Sequence, residues 1–213
     1  MQSTREQVRD TLRQMREAGL ENVLALRGDL PLEGSPCHDF EHASDLITFI
    51  RSEGNFCIGA ACYPEKHPEC PSREEDMDNL KRKVDAGADF LVTQMFFDNS
   101  LFYNFMMRAL RHGIHVPICA GIMPICDPRQ VDRAIKLSGS IMPPRFAAIA
   151  DRFRSDRAAM EQAGIAYACG QIVDLIANGV EHIHLYTMNK PAIAKAIIDN
   201  LSHLFNLEEP HGD

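Results

Sequence analysis

The sequence predicts an α/β protein on the (β/α)8 plan, incomplete, with about five of the eight strand–helix units present. Three observations predict it. A helix, glycine, strand beat recurs along the chain, no hairpin signature interrupts it, and polar or conformationally special residues gather just after each strand.

The first helix is expected to start at Ser3, whose hydroxyl can cap it while Glu6 reaches back, a capping-box spacing. Val8, Leu12 and Met15 then share one helical face, and Gly19 ends it. The short apolar run at 22–26 is bounded like a buried parallel strand. The same beat predicts strands at 56–60 after Gly54, at 90–93 after Gly87, at 116–119 after Gly113 and at 182–186 after Gly179. At each glycine a helix needs a residue of positive φ to turn back towards the sheet. Strands spaced by roughly 30 to 40 residues imply right-handed crossovers.

No G-x-G-x-x-G follows any strand, so the dinucleotide fingerprint of a doubly wound sheet is absent. In a barrel the chemistry collects at the C-terminal ends of the strands. Those ends carry Arg27-Gly28-Asp29, Tyr63-Pro64-Glu65, Gln94 with Asp98, Gly121 to Pro124, and Tyr186 to Asn189. This gathering favours a TIM-barrel type over an open sheet. Residues 1–213 are expected to form a single partial TIM-barrel catalytic domain without a regulatory domain, the missing strands lying towards the N-terminus. Five parallel strands alone leave two unpaired edges, expected near 23–26 and 182–186.

The composition is that of a globular protein, with 45% hydrophobic and 24% charged residues. A net charge of −8 argues against a nucleic-acid partner, which ordinarily calls for a basic stripe. No apolar leader and no membrane-length apolar run occurs. The seven cysteines are odd in number and contain no C-x-x-C pair, which reads as reduced thiols in a cytoplasmic protein. His182 and His184 would share a strand face, but no H-E-x-x-H accompanies them and no metal site is expected.

At the strand ends the sequence becomes specific. Ala25 to Pro31, Tyr63 to Glu69, Leu80 to Asp89, Thr93 to Asp98 and His184 to Asn189 closely resemble, in order and spacing, the signature segments of methylenetetrahydrofolate reductases of the bacterial type. The resemblance covers essentially the whole chain. It implies an FAD-dependent oxidoreductase that reduces 5,10-methylenetetrahydrofolate to 5-methyltetrahydrofolate with NADH or NADPH, in the one-carbon metabolism that supplies methionine. The alternative is an inactive remnant, or a flavin- or folate-binding module of that fold. The resemblance further implies a homo-oligomer, or a complementing N-terminal segment that supplies the first strands and the family's general-acid glutamate.

Residue by residue, the resemblance places Arg27, Gly28, Asp29, Ala43, Tyr63, His67, Asp76, Asn79, Arg82 and Lys83 against FAD. It places Asp29, Gln94 and Lys190 against the reduced folate, with Asp29 as the catalytic residue. Seen singly, Gly28-Asp29 is a turn with an Asx hydrogen bond, and Arg82-Lys83 is a solvated charged face. Together with the flanking motifs, two adjacent cations suit a pyrophosphate. Three positions depart from the pattern: Lys190 stands in place of an arginine, Ala134 in place of a phenylalanine, and His42 in place of a tyrosine.

Overall fold

The computed structural model describes residues 3–28, 39–138 and 141–205. Five parallel strands lie in the order β1 (Asn22–Ala25), β2 (Cys57–Cys62), β3 (Phe90–Thr93), β4 (Ile118–Ile122), β5 (Ile183–Leu185), each paired with its sequence neighbour. The register aligns Ala25 with Ala60, Cys62 with Thr93, Val92 with Cys119 and Gly121 with His184. The sheet curls into an open half-barrel with the helices on its outer face, as the sequence predicts.

Before β1 comes α1 (Arg5–Glu17), and α2 (Ala43–Glu53), α3 (Arg73–Asp85) and α4 (Asn99–Arg111) fill the next three connections. The β4–β5 connection holds three helices, α5 (Pro128–Ser138), α6 (Pro144–Arg152) and α7 (Arg157–Ala177), and α8 (Pro191–Leu201) follows β5. The regular spacing expected from the sequence therefore fails at that connection, where α5 and α6 are an excursion from the βα repeat.

Alternation along the strands decides which side chains reach the core. Val23 and Ala25 turn outward to meet Ile47, Ile50, Ile58 and Ala60 beneath the helices. Leu24 lies on the other face, where a Cβ added to Gly59 would touch both Leu24 and Phe90. A second apolar cluster of Phe97, Met123, Ile125, Ala134, Phe146 and Met160 seats the α5–α7 excursion on the rim. Ala134 is thus packed inside this cluster.

Two local expectations are corrected. The cap of α1 is Thr4 with Gln7, one residue later than Ser3 with Glu6. Both spacings satisfy a capping box; in the realised one the Gln7 amide donates to Thr4 Oγ1 at 3.2 Å and the Thr4 amide to Gln7 Oε1 at 2.8 Å, while the Arg5 amide donates to the Asp39 carboxylate at 2.8 Å. β4 runs over Ile118–Ile122 rather than 116–119, since Pro117 has no N–H for the ladder and offers only its carbonyl, to the Leu91 amide at 2.9 Å. Gly19, Gly87, Gly113 and Gly179 have positive φ as expected, whereas Gly54 is extended and faces the Arg16 guanidinium. Among the described residues β1 pairs only with β2 and β5 only with β4, and Leu24 and Leu26 are exposed. All described cysteines are free thiols; Cys37 lies outside the described residues. No described helix is long and apolar enough to cross a membrane.

Candidate functional site

A cleft of ≈ 470 Å³ opens at the C-terminal ends of β1 and β2. Its walls are Ala25 to Gly28, the start of α2 at His42 to Ser44, the end of β2 at Ala61 and Tyr63, and one face of α3. Helical spacing places Asp76, Asn79, Arg82 and Lys83 together on that face. Gly28 has φ 78°, a left-handed conformation that lets the backbone turn away directly after β1.

The cations of the cleft are held in three different ways. Arg27 donates from Nη2 to Glu69 Oε2 at 2.8 Å and from Nε to the Gly28 carbonyl at 3.2 Å. Arg82 donates from Nη1 to Asn79 Oδ1 at 2.7 Å. Lys83 donates from Nζ to the Ala61 carbonyl at 2.9 Å. Burial lowers the proton affinity of Lys83, and Arg27 lowers it further against the opposing pull of Asp76. The His67 imidazole is also held below its ordinary range, first by burial, with Lys83 and Arg27 adding to it against Glu69 and Asp76. Glu69 is lowered by its hydrogen bond from Arg27.

The loop between β2 and α3 is tied down from several sides. The His67 amide donates to Asp76 Oδ2 at 3.1 Å and the Glu69 amide to His67 Nδ1 at 3.1 Å. Lys66 Nζ donates to the His67 and Cys70 carbonyls. The Tyr63 and His67 rings meet edge-on with centroids 4.5 Å apart. Ser72 caps α3 by accepting from the Glu75 amide at 3.1 Å. Arg108 Nη2 braces the loop from α4 through the Pro64 carbonyl at 2.7 Å.

Nine of the residues singled out from sequence line this one cleft: Arg27, Gly28, Ala43, Tyr63, His67, Asp76, Asn79, Arg82 and Lys83. Asp29 lies outside the described residues. Gln94 and Lys190 are not part of the cleft lining. Gln94 follows β3, half-buried, its backbone N–H donating to the Cys62 carbonyl at 2.7 Å and its side-chain Oε1 accepting from the Met95 amide at 3.0 Å. Lys190 occupies the N-cap position of α8, without a side-chain capping bond, next to the left-handed pair Met188 and Asn189, with its charge felt at Asp127 and Cys126. The sequence reading missed Glu69, Ser44, Cys70 and Glu75 as lining residues. Glu69 ends one of the family segments, but its partner lies 42 residues away and no local pattern signals the pair.

A parallel half-barrel with a cation-bearing cleft on the rim that carries the strand ends defines a barrel-type α/β protein. The chain belongs to the methylenetetrahydrofolate reductase family, whose profile matches residues 1–202. It is 34% identical over 199 residues to a 5,10-methylenetetrahydrofolate reductase of Pectobacterium carotovorum, covering 93% of this chain and 66% of that protein. It is 35% identical to the Escherichia coli enzyme, with 93% and 67% covered. It is 40% identical to a probable methylenetetrahydrofolate reductase (NADPH) of Caenorhabditis elegans, with 93% and 31% covered. The chain thus spans about two thirds of its bacterial relatives and about a third of the nematode one. The fold is shared with an uncharacterized protein from Clostridium thermocellum that binds two copies of 5-methyl-5,6,7,8-tetrahydrofolic acid. That match has a TM-score of 0.63 at 12% identity and covers 95% of this chain and 70% of that one.

The donor set of the cleft fits FAD. Arg27, Arg82 and Lys83 supply positive charge for a pyrophosphate, Asp76 and Asn79 supply polar groups for hydroxyls, and Tyr63 supplies an aromatic edge for a ring.

Proposed function

We propose that this chain binds FAD in the β1–β2 cleft and a reduced folate on the adjoining rim. In that reading it serves the reduction of 5,10-methylenetetrahydrofolate to 5-methyltetrahydrofolate with NADH or NADPH, in the cytoplasm. The observation that carries the proposal is the convergence of nine residues, from the segment after β1, α2, the β2–α3 loop and α3, on one cleft. A bound flavin supplies the hydride chemistry, so the protein's part is to bind, orient and tune.

In this reading Arg82 and Lys83 meet the pyrophosphate, Asp76 and Asn79 the hydroxyls, and Tyr63 a ring. Gln94 Oε1 is already engaged by the Met95 amide, so its NH2 is the end offered to an acceptor on the pterin. Lys190 offers a single charge to a folate carboxylate, where an arginine would offer a fork. By the family resemblance, Asp29 would bring a carboxylate to the ring system, where it would disfavour negative charge on a reduced flavin and favour a cationic iminium on the folate. The edges of β1 and β5, unpaired among the described residues, support completion of the barrel by further strands, from a complementing N-terminal segment or another copy.

The test is a titration of the purified chain with FAD, read by flavin fluorescence, followed by anaerobic addition of NADH or NADPH with and without a co-expressed N-terminal segment. Saturable flavin binding, with bleaching on addition of the nicotinamide, is expected. A chain that binds no flavin in either setting would sink the proposal.

A further inference from the structure

Of the three cations that line the cleft, Arg27 is tied to a carboxylate, whereas Arg82 is tied to a neutral amide and Lys83 to a backbone carbonyl. We propose that Glu69 is a specificity-determining residue of the cleft: its carboxylate is the resident counter-ion of Arg27, and a pyrophosphate-bearing ligand displaces it, adding Arg27 to the Arg82 and Lys83 that meet the pyrophosphate. The identity of that ligand as FAD rests on the function proposed above; the counter-ion role does not.

Exposure decides which partner moves. The Arg27 side chain is 21% exposed and the Glu69 side chain 48% exposed. Arg27 is further held by its own Nε bond to the Gly28 carbonyl, and the backbone at Glu69 is fixed by its amide bond to His67 Nδ1 and by the Lys66 clip on the carbonyls either side. Exchange is therefore a rotation of the Glu69 side chain into solvent, with no rearrangement of the loop.

Charge decides what can displace it. Arg27 and Lys83 line the same cleft, and the charge of Arg27 adds to burial in lowering the proton affinity of Lys83. A lone monoanion at Arg27 replaces one carboxylate with another negative group and gains little. Two linked phosphates satisfy Arg27 and the desolvated Lys83 ammonium together, which Glu69 cannot do. The resident carboxylate thus screens out weakly charged anions and admits a polyanion.

The experiment is a calorimetric titration of the full chain and of Glu69→Gln with FAD, ADP and inorganic pyrophosphate. Glu69→Gln keeps the shape of the side chain and removes its charge. It should tighten all three probes about two- to five-fold, the range expected for release of a part-exposed ion pair. The double variant Arg27→Ala/Glu69→Gln should show no such gain over Arg27→Ala, with circular dichroism verifying that each variant is folded. Unchanged or weaker binding of every probe by Glu69→Gln overturns the counter-ion role, even if FAD binds the unmodified chain well. Tightened binding of pyrophosphate and ADP with no binding of FAD to either protein keeps the counter-ion role and removes the flavin reading. Failure of all probes to bind either protein removes both.

Discussion

Tyr186, just past β5, donates its hydroxyl to the carbonyl of Thr93 on β3 at 2.8 Å, crossing over β4, which lies between them. The ring can pass only because Gly121 on β4 has no side chain: a Cβ there would collide with the Thr93 carbonyl and sit 2.8 Å from the tyrosine ring. The Gly121 amide also donates to Thr93 Oγ1 at 2.8 Å. Three strands are thus locked at the rim by one tyrosine, one threonine and one glycine. Burial pushes the Tyr186 phenol up to about 12, so the hydroxyl remains a donor throughout the working pH range.

Tyr186→Phe should therefore cost about 1 kcal/mol of unfolding free energy, the usual net worth of one hydrogen bond. Gly121→Ala should cost more, about 1 to 3 kcal/mol, because backbone must shift. Urea unfolding followed by circular dichroism measures both, and an alanine variant as stable as the parent would remove the lock.

Replacing Arg82 and Lys83 together by alanine should weaken FAD binding by at least about ten-fold, since charge-assisted hydrogen bonds are each worth about 1.5 to 3 kcal/mol. Flavin fluorescence of the folded double variant reads this directly. Unchanged flavin affinity would move the cofactor elsewhere on the rim.

Glu65 links the β2 rim to the segment before α6 by accepting the Ile141 amide at 3.0 Å with both carboxylate oxygens. Burial raises its proton affinity above the ordinary 4.5, with Asp98 adding to it, while the Ile141 amide and Arg73 pull the other way. The folded state then binds more protons than the unfolded state in the window just above pH 4.5. Its contribution is present below that window and is lost as pH rises through the folded value. Glu65→Gln, which keeps an acceptor for Ile141, should lack this loss. The stability difference between variant and parent should shift in favour of glutamine as pH rises across the window and level off above it. A difference independent of pH in urea titrations would contradict the sign.

A Cβ on Gly164 of α7 would collide with the Ile125 carbonyl, so the helix lies directly on the loop after β4. Gly164→Ala should destabilise by about 1 to 3 kcal/mol despite the better helix propensity of alanine. A rise in melting temperature would show that α7 can lift away freely.

In a preparation with reductase activity, Asp29→Asn should slow the folate half-reaction about 10- to 100-fold, equivalent to about 1.4 to 2.7 kcal/mol at the transition state, and leave melting unchanged. Wild-type rates in stopped-flow reoxidation by the folate would reduce Asp29 to a turn residue.

The parts legible in the sequence are those governed by local chemistry. Phe90 to Thr93 is three apolar residues and a β-branched threonine soon after a glycine of φ 114°, and the strand matches it residue for residue. Asp76, Asn79, Arg82 and Lys83 share a helical face by spacing alone. What was not legible depends on distant partners. Asp39 takes the first free amide of α1 from 34 residues away, and Glu69 finds Arg27 across the cleft. Gly121 reads as part of the segment that follows a strand at 116–119, yet it lies inside β4, where the close approach of Tyr186 and Thr93 leaves no room for a side chain. The α5–α6 excursion escaped notice because its apolar residues serve a separate cluster around Phe97 and Phe146 and do not follow the repeat of the main core.

The strictly consecutive strand order means that every new strand docks on the edge left by the one before it. A chain assembling in this way closes only one connection at a time, and the entropy of closing a loop grows with the logarithm of its length, by about 0.6 kcal/mol per doubling. The connection between β4 and β5 can therefore be lengthened by two whole helices at little thermodynamic penalty. It is the place where this architecture can accept inserted sequence, and with it new contacts above the rim, without disturbing the order in which the sheet is built.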